Sequence, residues 1–171
     1  EAHDLNVASN TINDLPGGLP MSAPAWSTDG QRIYAQVSRH GSTALYAFDT
    51  TGSAKPRIVV GGRAAIGAFS LDDSQSTLAC MRGNLRELCQ VWVYDLDEVG
   101  VLKRATDRTV HHARKRTSVA QALFDRRDQG KVEELWIKGP DGTDLQGWIL
   151  TLPGDGDGGP CRRRPGSLAG D

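Results

Sequence analysis

The sequence of 171 residues lacks long apolar runs, a strong net charge and an abundance of aromatic side chains. No stretch of about 18 consecutive apolar residues occurs, so no transmembrane helix is predicted. The opening Glu1-Ala2-His3-Asp4 has neither a basic nor an apolar segment, so we expect no secretory signal. A formal net charge of −1 with 38% apolar residues and 20 glycines instead suits a β-rich protein with many turns.

Cysteine is also scarce. Cys80, Cys89 and Cys161 have neither an even count nor metal-ligand spacing. We interpret Cys80 as a small core residue of a strand and expect a reducing, cytoplasmic compartment without structural disulfides. His111 and His112 are adjacent and no cysteine or carboxylate completes a ligand set, so we interpret them as part of a solvated linker. No metal and no cofactor is predicted.

What the sequence does contain is an internal repeat, over residues 24–62 and 66–106. Each copy has an aromatic residue, a serine and an aspartate, followed by two short apolar stretches separated by a turn. The segments of the first copy are Ala25–Gly30, Arg32–Val37 and Ala44–Asp49, and those of the second are Ala68–Asp73, Thr77–Met81 and Val91–Asp95. Matched positions lie 43 apart at Ser27 and Ser70, and 46 apart at Asp49 and Asp95.

A period of about 40–45 residues that contains several short strands is typical of a β-propeller blade. The aromatic residues Trp26 and Phe69 are expected to pack between neighbouring blades, and the aspartates after them to reverse the chain. Each blade is then an antiparallel meander that needs neighbours on both faces. The predicted fold class is all-β: two β-propeller blades (WD40-like repeats) plus a β-hairpin that would begin an α/β-hydrolase domain.

Five regions are predicted along the chain. Residues 1–22 would end a preceding blade, residues 23–106 would form the two blades, and residues 107–131 would be a linker with a short helix. A strong hairpin signal covers residues 132–152, because two apolar stretches flank Gly139-Pro140-Asp141-Gly142. Residues 153–171 are a low-complexity tail that we expect to be disordered.

The order of blade, blade, linker and hairpin resembles the propeller-to-hydrolase junction of the prolyl oligopeptidase family of serine peptidases, closest to its acylaminoacyl-peptidase branch. The resemblance covers about residues 22–152. It depends on the hairpin pattern Gly-x-Asp-Gly-x-x-Leu-x-Gly-Trp, which begins at Gly139 and ends at Trp148. Blade segments similar to that branch are Pro24–Gly30, Gln36–Gly41 and Val91–Leu96.

The resemblance implies a propeller that restricts substrate entry to an α/β-hydrolase domain cleaving short peptides, N-acylated ones among them. The family places its nucleophile in a Gly-x-Ser-x-Gly turn downstream of the hairpin, with the Asp and His later in the chain. The near match at Gly166–Gly170 has its serine, Ser167, one position early. No catalytic residue is therefore predicted, and we expect this chain to have no peptidase activity; its peptide substrate would be bound through a catalytic domain that the chain does not include.

Arg39 and His40 are the predicted substrate-binding residues. They lie on the loop between the second and third strands of a blade, where an arginine could pair with a peptide carboxylate. Asn84, Arg86 and Glu87 occupy the equivalent loop of the second copy. The alternative for both loops is a plain exposed turn.

Two further interpretations remain open. The chain could be a non-enzymatic propeller module that binds peptides or proteins, or an inactive product of a truncated or frame-shifted gene, since the sequence changes character from Pro153 onward. Asp155 and Asp157 are too few for a calcium loop, and Arg162–Arg164 too short for a nucleic-acid arm. We expect no nucleic acid and no membrane as partners, and oligomerisation is not predicted.

Overall fold

The computed structural model describes residues 22–97, 113–127 and 129–153. These segments contain ten strands and one short helix, which confirms the all-β prediction. The chain divides into two compact units, residues 1–121 and residues 122–171. None of the described helices is long and apolar enough to cross a membrane. The predictions for residues 1–21 and 154–171, including Cys161 and the tail motifs, lie outside the described residues, as do those for His111 and His112.

The strands of the first repeat are β1 Ala25–Trp26, β2 Arg32–Arg39, β3 Ser42–Asp49 and β4 Arg57–Val60. Those of the second repeat are β5 Ala65–Leu71, β6 Thr77–Asn84, β7 Glu87–Asp95 and β8 Ala113–Lys115. They are followed by the helix α1 Gln121–Asp125 and the strands β9 Lys131–Lys138 and β10 Asp144–Thr151. The helix lies within residues 107–131, where the sequence predicts a linker with a short helix, but β8 lies there as well and pairs with β7, so the second meander extends beyond the predicted end of the blades at residue 106.

Each repeat folds as a four-stranded antiparallel meander in which consecutive strands pair. The two meanders join where β3 and β5 run parallel at Thr43 and Ala65, next to a hydrogen bond of 3.1 Å from the Thr43 amide to the Ala64 carbonyl. Since β2 is antiparallel to β3 and β6 is antiparallel to β5, β2 and β6 point in the same direction. Equivalent turns of the two repeats therefore lie at the same end of the sheet.

One apolar core is shared by both meanders. Its buried members are Tyr34, Leu45, Ala47, Val59, Val60, Ala64, Ile66, Leu78, Cys80, Tyr94 and Leu96. Buried and less buried residues alternate along the first half of β6, whereas four consecutive residues of β2 are buried, which shows that both faces of β2 are covered. Cys80 is 3% exposed on β6, which confirms the interpretation of this cysteine as a core residue.

The register of the strands gives the true correspondence between the repeats. Trp26 pairs with Ile33 on β2, and Leu71 pairs with Leu78 on β6, so equivalent positions at this end of the repeat lie 45 apart. The spacing of 43 that the sequence suggests is two residues short. Ser27 consequently corresponds to Asp72 rather than to a serine.

Trp26 does not pack against the described residues, since its side chain is 59% exposed, and its packing against a neighbouring blade stays a prediction. The strand β1 has only two residues, and Ala25 is the one that packs against the core. Successive side chains of a strand point to opposite faces, so Trp26 points away from the core. Phe69, in contrast, does pack against it.

The second unit contains a regular hairpin. β9 and β10 pair without a register shift from Lys131 opposite Thr151 to Lys138 opposite Asp144. The connecting turn is closed by a hydrogen bond of 2.9 Å from the Gly142 amide to the Gly139 carbonyl. Its exposed large apolar side chains are Trp136, Ile137, Leu145, Trp148, Ile149 and Leu150.

Candidate functional site

The predicted binding residues Arg39 and His40 lie together at the turn between β2 and β3. Arg39 pairs with Ser42, so His40 and Gly41 form a two-residue loop. Both loop residues have positive φ angles, 48° and 60°, which is the type I′ geometry that suits the twist of a hairpin. Arg39 and His40 are exposed. The hairpin therefore presents both side chains from a short, well-defined turn.

The equivalent turn of the second repeat differs in its polar groups. Asn84 pairs with Glu87, and the Asn84 side-chain oxygen accepts a hydrogen bond of 2.8 Å from the Arg86 amide. The Glu87 carboxylate forms an ion pair with Lys115 on β8. Of the three residues considered in this loop, Asn84 and Glu87 thus have structural partners within the repeat.

A cleft of about 460 Å³ lies at the opposite end of the strands. It is bordered by the first strands of the two meanders and by the turns that follow them, and its lining residues are Ala23, Ala25, Thr28, Phe69, Ser70, Leu71, Asp72, Asp73 and Gln75. Arg39 lies seven positions along β2 from Arg32, whose carbonyl accepts a hydrogen bond from the Ser27 amide beside the cleft, and seven positions correspond to about 23 Å at the rise of a strand. The structure therefore does not bring Arg39 and His40 to this cleft.

Gln75 fixes the geometry of the cleft by joining the two turns. Its side-chain nitrogen donates a hydrogen bond of 2.9 Å to the Trp26 carbonyl, and its side-chain oxygen accepts one of 3.1 Å from the Thr28 amide. The backbone of Gln75 has a φ of 54°, a region that non-glycine residues rarely adopt. The sequence gives no signal for this role, since the glutamine contacts residues almost 50 positions earlier.

Asp72 supplies a negative charge at the edge of the cleft. Hydrogen bonds from the Ser74 hydroxyl and the Thr77 amide hold the pKa of Asp72 below its ordinary value of 3.8. The carboxylate is therefore ionised at neutral pH, and both of its oxygens accept hydrogen bonds within the turn, at 2.7 Å from the Thr77 amide and 2.5 Å from the Ser74 hydroxyl. Its primary role is to stabilise the turn.

Two potentially reactive side chains are unsuited to act as nucleophiles. Burial raises the pKa of the Cys80 thiol and that of the Tyr94 hydroxyl to about 12. Both groups are therefore protonated at neutral pH, and a neutral thiol is a poor nucleophile. Within residues 22–97, 113–127 and 129–153, no group of three or more His, Cys, Asp or Glu side chains could hold a metal ion. The described geometry is that of an open cleft and exposed turns.

Comparison with known proteins supports a fold assignment only. No protein-family model and no curated protein sequence matches the chain. An acylaminoacyl peptidase from Pyrococcus horikoshii is similar with a TM-score of 0.50 and 17% identity, over 69% of this chain and 16% of that chain. The isopeptidase AtxE2 with Astexin3-dC4 bound is similar with a TM-score of 0.52 and 13% identity, over 86% of this chain and 21% of that chain. The chain thus spans about a fifth or less of these peptidases and shares the fold of a segment of them.

Proposed function

We propose that this chain is the propeller-to-hydrolase segment of a serine peptidase of the prolyl oligopeptidase family, similar to the acylaminoacyl peptidases. The two meanders would belong to a β-propeller that restricts substrate entry, and the hairpin would begin the catalytic domain. The observation that carries the proposal is the order of elements, since two four-stranded meanders precede a separate hairpin, and the structures with a similar fold are peptidases.

The outer face of the second meander supports the presence of a further blade. Ala79 pairs with Val93, and Met81 pairs with Val91, on the face opposite to Leu78 and the shared core. All four are half-buried apolar residues. A repeat with apolar residues on both faces is completed by a neighbour on each side, as in a stack of blades.

The hairpin supports a larger domain in the second unit. Trp136 and Trp148 occupy one face and Ile137 and Leu145 the other, and each of the four is more than two-fifths exposed. A two-stranded sheet is marginally stable by itself and needs further strands or a covering helix. In the proposed protein, the hydrolase domain would supply that cover together with the serine, histidine and acid.

A non-enzymatic peptide-binding module is the second candidate. It is favoured by the cleft of about 460 Å³ and by the exposed turn with Arg39 and His40, both of which could bind a peptide without any nucleophile. The hairpin distinguishes the two hypotheses. A binding propeller has no need for β9 and β10, whereas a peptidase does.

Labelling with a fluorophosphonate probe, which reacts with activated serines, tests the choice. We would compare the 171-residue chain with the product obtained by reading its source DNA past the codon of Pro153 in all three frames. We expect labelling and hydrolysis of N-acetylalanyl p-nitroanilide only for a longer product that contains Gly-x-Ser-x-Gly. Absence of that motif from every frame, with peptide binding by the chain itself, would establish the binding module instead.

The proposed role of Arg39 can be tested in the same longer product. Arg39→Gln is expected to raise KM roughly tenfold for a peptide with a free terminal carboxylate, because a charged hydrogen bond is lost. An otherwise identical amidated peptide should be unaffected, and His40→Gln should show whether the neighbouring imidazole contributes. Equal effects on both peptides would refute recognition of the carboxylate by Arg39.

A further inference from the structure

Three hydrogen-bond donors on the second meander have no acceptor. They are Nε of Arg82, Nε1 of Trp92 and the hydroxyl of Tyr94; the Arg82 guanidinium donates a hydrogen bond to the Tyr94 oxygen, but none of these three buried donors has an acceptor of its own. A buried donor that makes no hydrogen bond costs about 1–3 kcal/mol, so such groups are rarely left unsatisfied. Three such donors in one place make this part of the sheet a candidate binding site.

The register of β6 and β7 places the three side chains on one face of the sheet. Cys80 lies opposite Trp92 and Leu78 opposite Tyr94, while Arg82 is two residues beyond Cys80 and so points to the same side. The Arg82 guanidinium carbon is 5.1 Å from the centre of the Trp92 ring. The rings of Trp92 and Tyr94 are stacked with their centres 6.5 Å apart.

The positive charge of Arg82 acts on both Tyr94 and Cys80. Burial raises the pKa of Tyr94 and that of Cys80, and in both cases the positive charge of Arg82 acts in the opposite direction. No described carboxylate forms an ion pair with Arg82. Tyr94 is 4% exposed, whereas Arg82 and Trp92 are partly accessible to solvent, so a small ligand could reach the site from their side.

We propose that Arg82, Trp92 and Tyr94 form a binding site for a carboxylate. An ionised carboxylate can accept about four hydrogen bonds and donates none, so it matches a site that consists of donors. The arginine can bind it with a charge-assisted hydrogen bond. One cation is matched by one negative charge, so a monoanion leaves no uncompensated charge in a largely buried site, unlike a dianionic phosphate. The site requires no nucleophile and does not depend on the peptidase proposal.

Nuclear magnetic resonance of the ¹⁵N-labelled chain during titration with sodium acetate tests the site directly. The indole signal of Trp92 and the Nε signal of Arg82, assigned with Trp92→Phe and Arg82→Lys, are expected to move together and to saturate. The indole signals of Trp26, Trp136 and Trp148 should not move. A parallel titration with sodium chloride at equal ionic strength separates carboxylate binding from a salt effect, and one with sodium phosphate tests the preference for a monoanion.

Variants make the outcome decisive. Tyr94→Phe keeps the ring and removes only the hydroxyl, so it should fold and should weaken acetate binding roughly tenfold through the loss of one hydrogen bond. The exposed Arg57→Gln on β4 is the matched control and should bind acetate like the parent chain. The proposal is overturned if chloride produces the same movements, if acetate produces none, or if Tyr94→Phe and Arg82→Lys both bind acetate as the parent does.

Discussion

The first turns of the two repeats have the same backbone geometry but different side chains at the key position. In the first repeat the Ser27 hydroxyl accepts a hydrogen bond of 2.8 Å from the Arg32 amide. In the second the Asp72 carboxylate accepts one of 2.7 Å from the Thr77 amide. The turn therefore requires an oxygen acceptor at its first residue, and a hydroxyl or a carboxylate can supply it.

The third residue of each turn is also polar, and here the first repeat has the aspartate and the second has the serine. Ser27 donates a hydrogen bond of 2.5 Å to Asp29, two residues later, whereas Ser74 donates one of 2.5 Å back to Asp72. One serine and one aspartate thus appear in each turn in reversed order. The two repeats therefore share the hydrogen-bond geometry of this turn although the order of its serine and aspartate differs.

The strands after these turns differ more. Gln36 on β2 is 4% exposed, and its side-chain nitrogen donates hydrogen bonds to the carbonyls of Ile66 at 2.8 Å and Gly67 at 2.6 Å. Those carbonyls belong to β5, so this glutamine joins the first meander to the second. The equivalent residue of the second repeat, 45 positions later, is the half-buried Met81.

Gln36→Met makes the first repeat resemble the second and should have the largest effect. It leaves the carbonyls of Ile66 and Gly67 without their donor but also removes the side-chain oxygen of Gln36, which is buried without a partner, so we expect the free energy of unfolding to fall by about 2–3 kcal/mol. Urea unfolding followed by circular dichroism measures the change. The reverse change, Met81→Gln, lies on a half-exposed face and should alter stability by less than about 1 kcal/mol; equal effects would show that Gln36 does not join the meanders.

The strand ends provide the next contrast. β6 and β7 have a register shift between Arg82 and Asn84, whereas β2 and β3 pair without one. At the shift Gly83 lies so close to Cys89 that an added Cβ would be 3.0 Å from the Cys89 amide nitrogen and 2.9 Å from its sulfur. Glycine is therefore required here by close approach of the two strands.

Gly83→Ala should accordingly destabilise the chain by about 2 kcal/mol, since the backbone of β7 must shift to accept the methyl group. Ser38 is the equivalent position of the first repeat, and its buried hydroxyl has no hydrogen-bond partner. Ser38→Ala serves as the control and should be neutral or slightly stabilising. If both variants unfold at the same urea concentration, close approach of β6 and β7 does not require glycine at position 83.

A smaller effect is expected at the fourth residue of the first turns. Gly30 and its equivalent Gln75 both have positive φ angles, 68° and 54°. Nothing lies within 4 Å of a Cβ added to Gly30, so only the backbone conformation opposes a side chain there. Gly30→Gln should cost about 1 kcal/mol.

Gln75→Gly should change stability by less than about 0.5 kcal/mol, because relief of the backbone offsets the two hydrogen bonds that Gln75 makes across the cleft. Thermal unfolding of both variants tests this pair. A cost for Gln75→Gly that equals or exceeds that of Gly30→Gln would mean that the hydrogen bonds to Trp26 and Thr28 dominate.

The sequence allowed prediction of local features more readily than of contacts between strands. The repeat, the all-β class and the apolar stretches on both sides of Gly139–Gly142 follow from strand periodicity and turn residues. The offset of 45 was missed because serine and aspartate exchange places in the turns, so the letters align best at 43. The two-residue length of β1, which exposes Trp26, depends on its pairing with β2 and leaves no trace in the local pattern.

The candidate sites show the same limit. Arg39 and His40 could be located because they follow a strand and precede a glycine. Arg82, Trp92 and Tyr94 could not be grouped from the sequence, since β6 and β7 bring them together only in one particular register. Gln75 likewise acts on a turn that lies almost 50 residues earlier.

The smallest expected difference concerns pH and the aspartates of the two first turns. Hydrogen bonds, from Ser27 to Asp29 and from Ser74 to Asp72, hold the pKa of each carboxyl below its ordinary value of 3.8. The folded state thus favours ionisation, so the stabilisation is present above pH 3.8 and is lost as the pH falls through the lower folded pKa.

Asp29→Asn and Asp72→Asn should each flatten the decrease in urea midpoint between pH 6 and pH 3. We expect changes of similar size, because Asp72 accepts a hydrogen bond from the Thr77 amide, while Asp29 accepts one from the Gln31 amide and forms an ion pair with Arg32. Asp49 and Asp141, whose pKa values are also lowered by neighbouring hydroxyl and amide groups, should leave a residual slope in both variants. If the urea midpoint of Asp72→Asn fell more steeply between pH 6 and pH 3 than that of the parent chain, the ionised Asp72 carboxylate would not be what stabilises this turn.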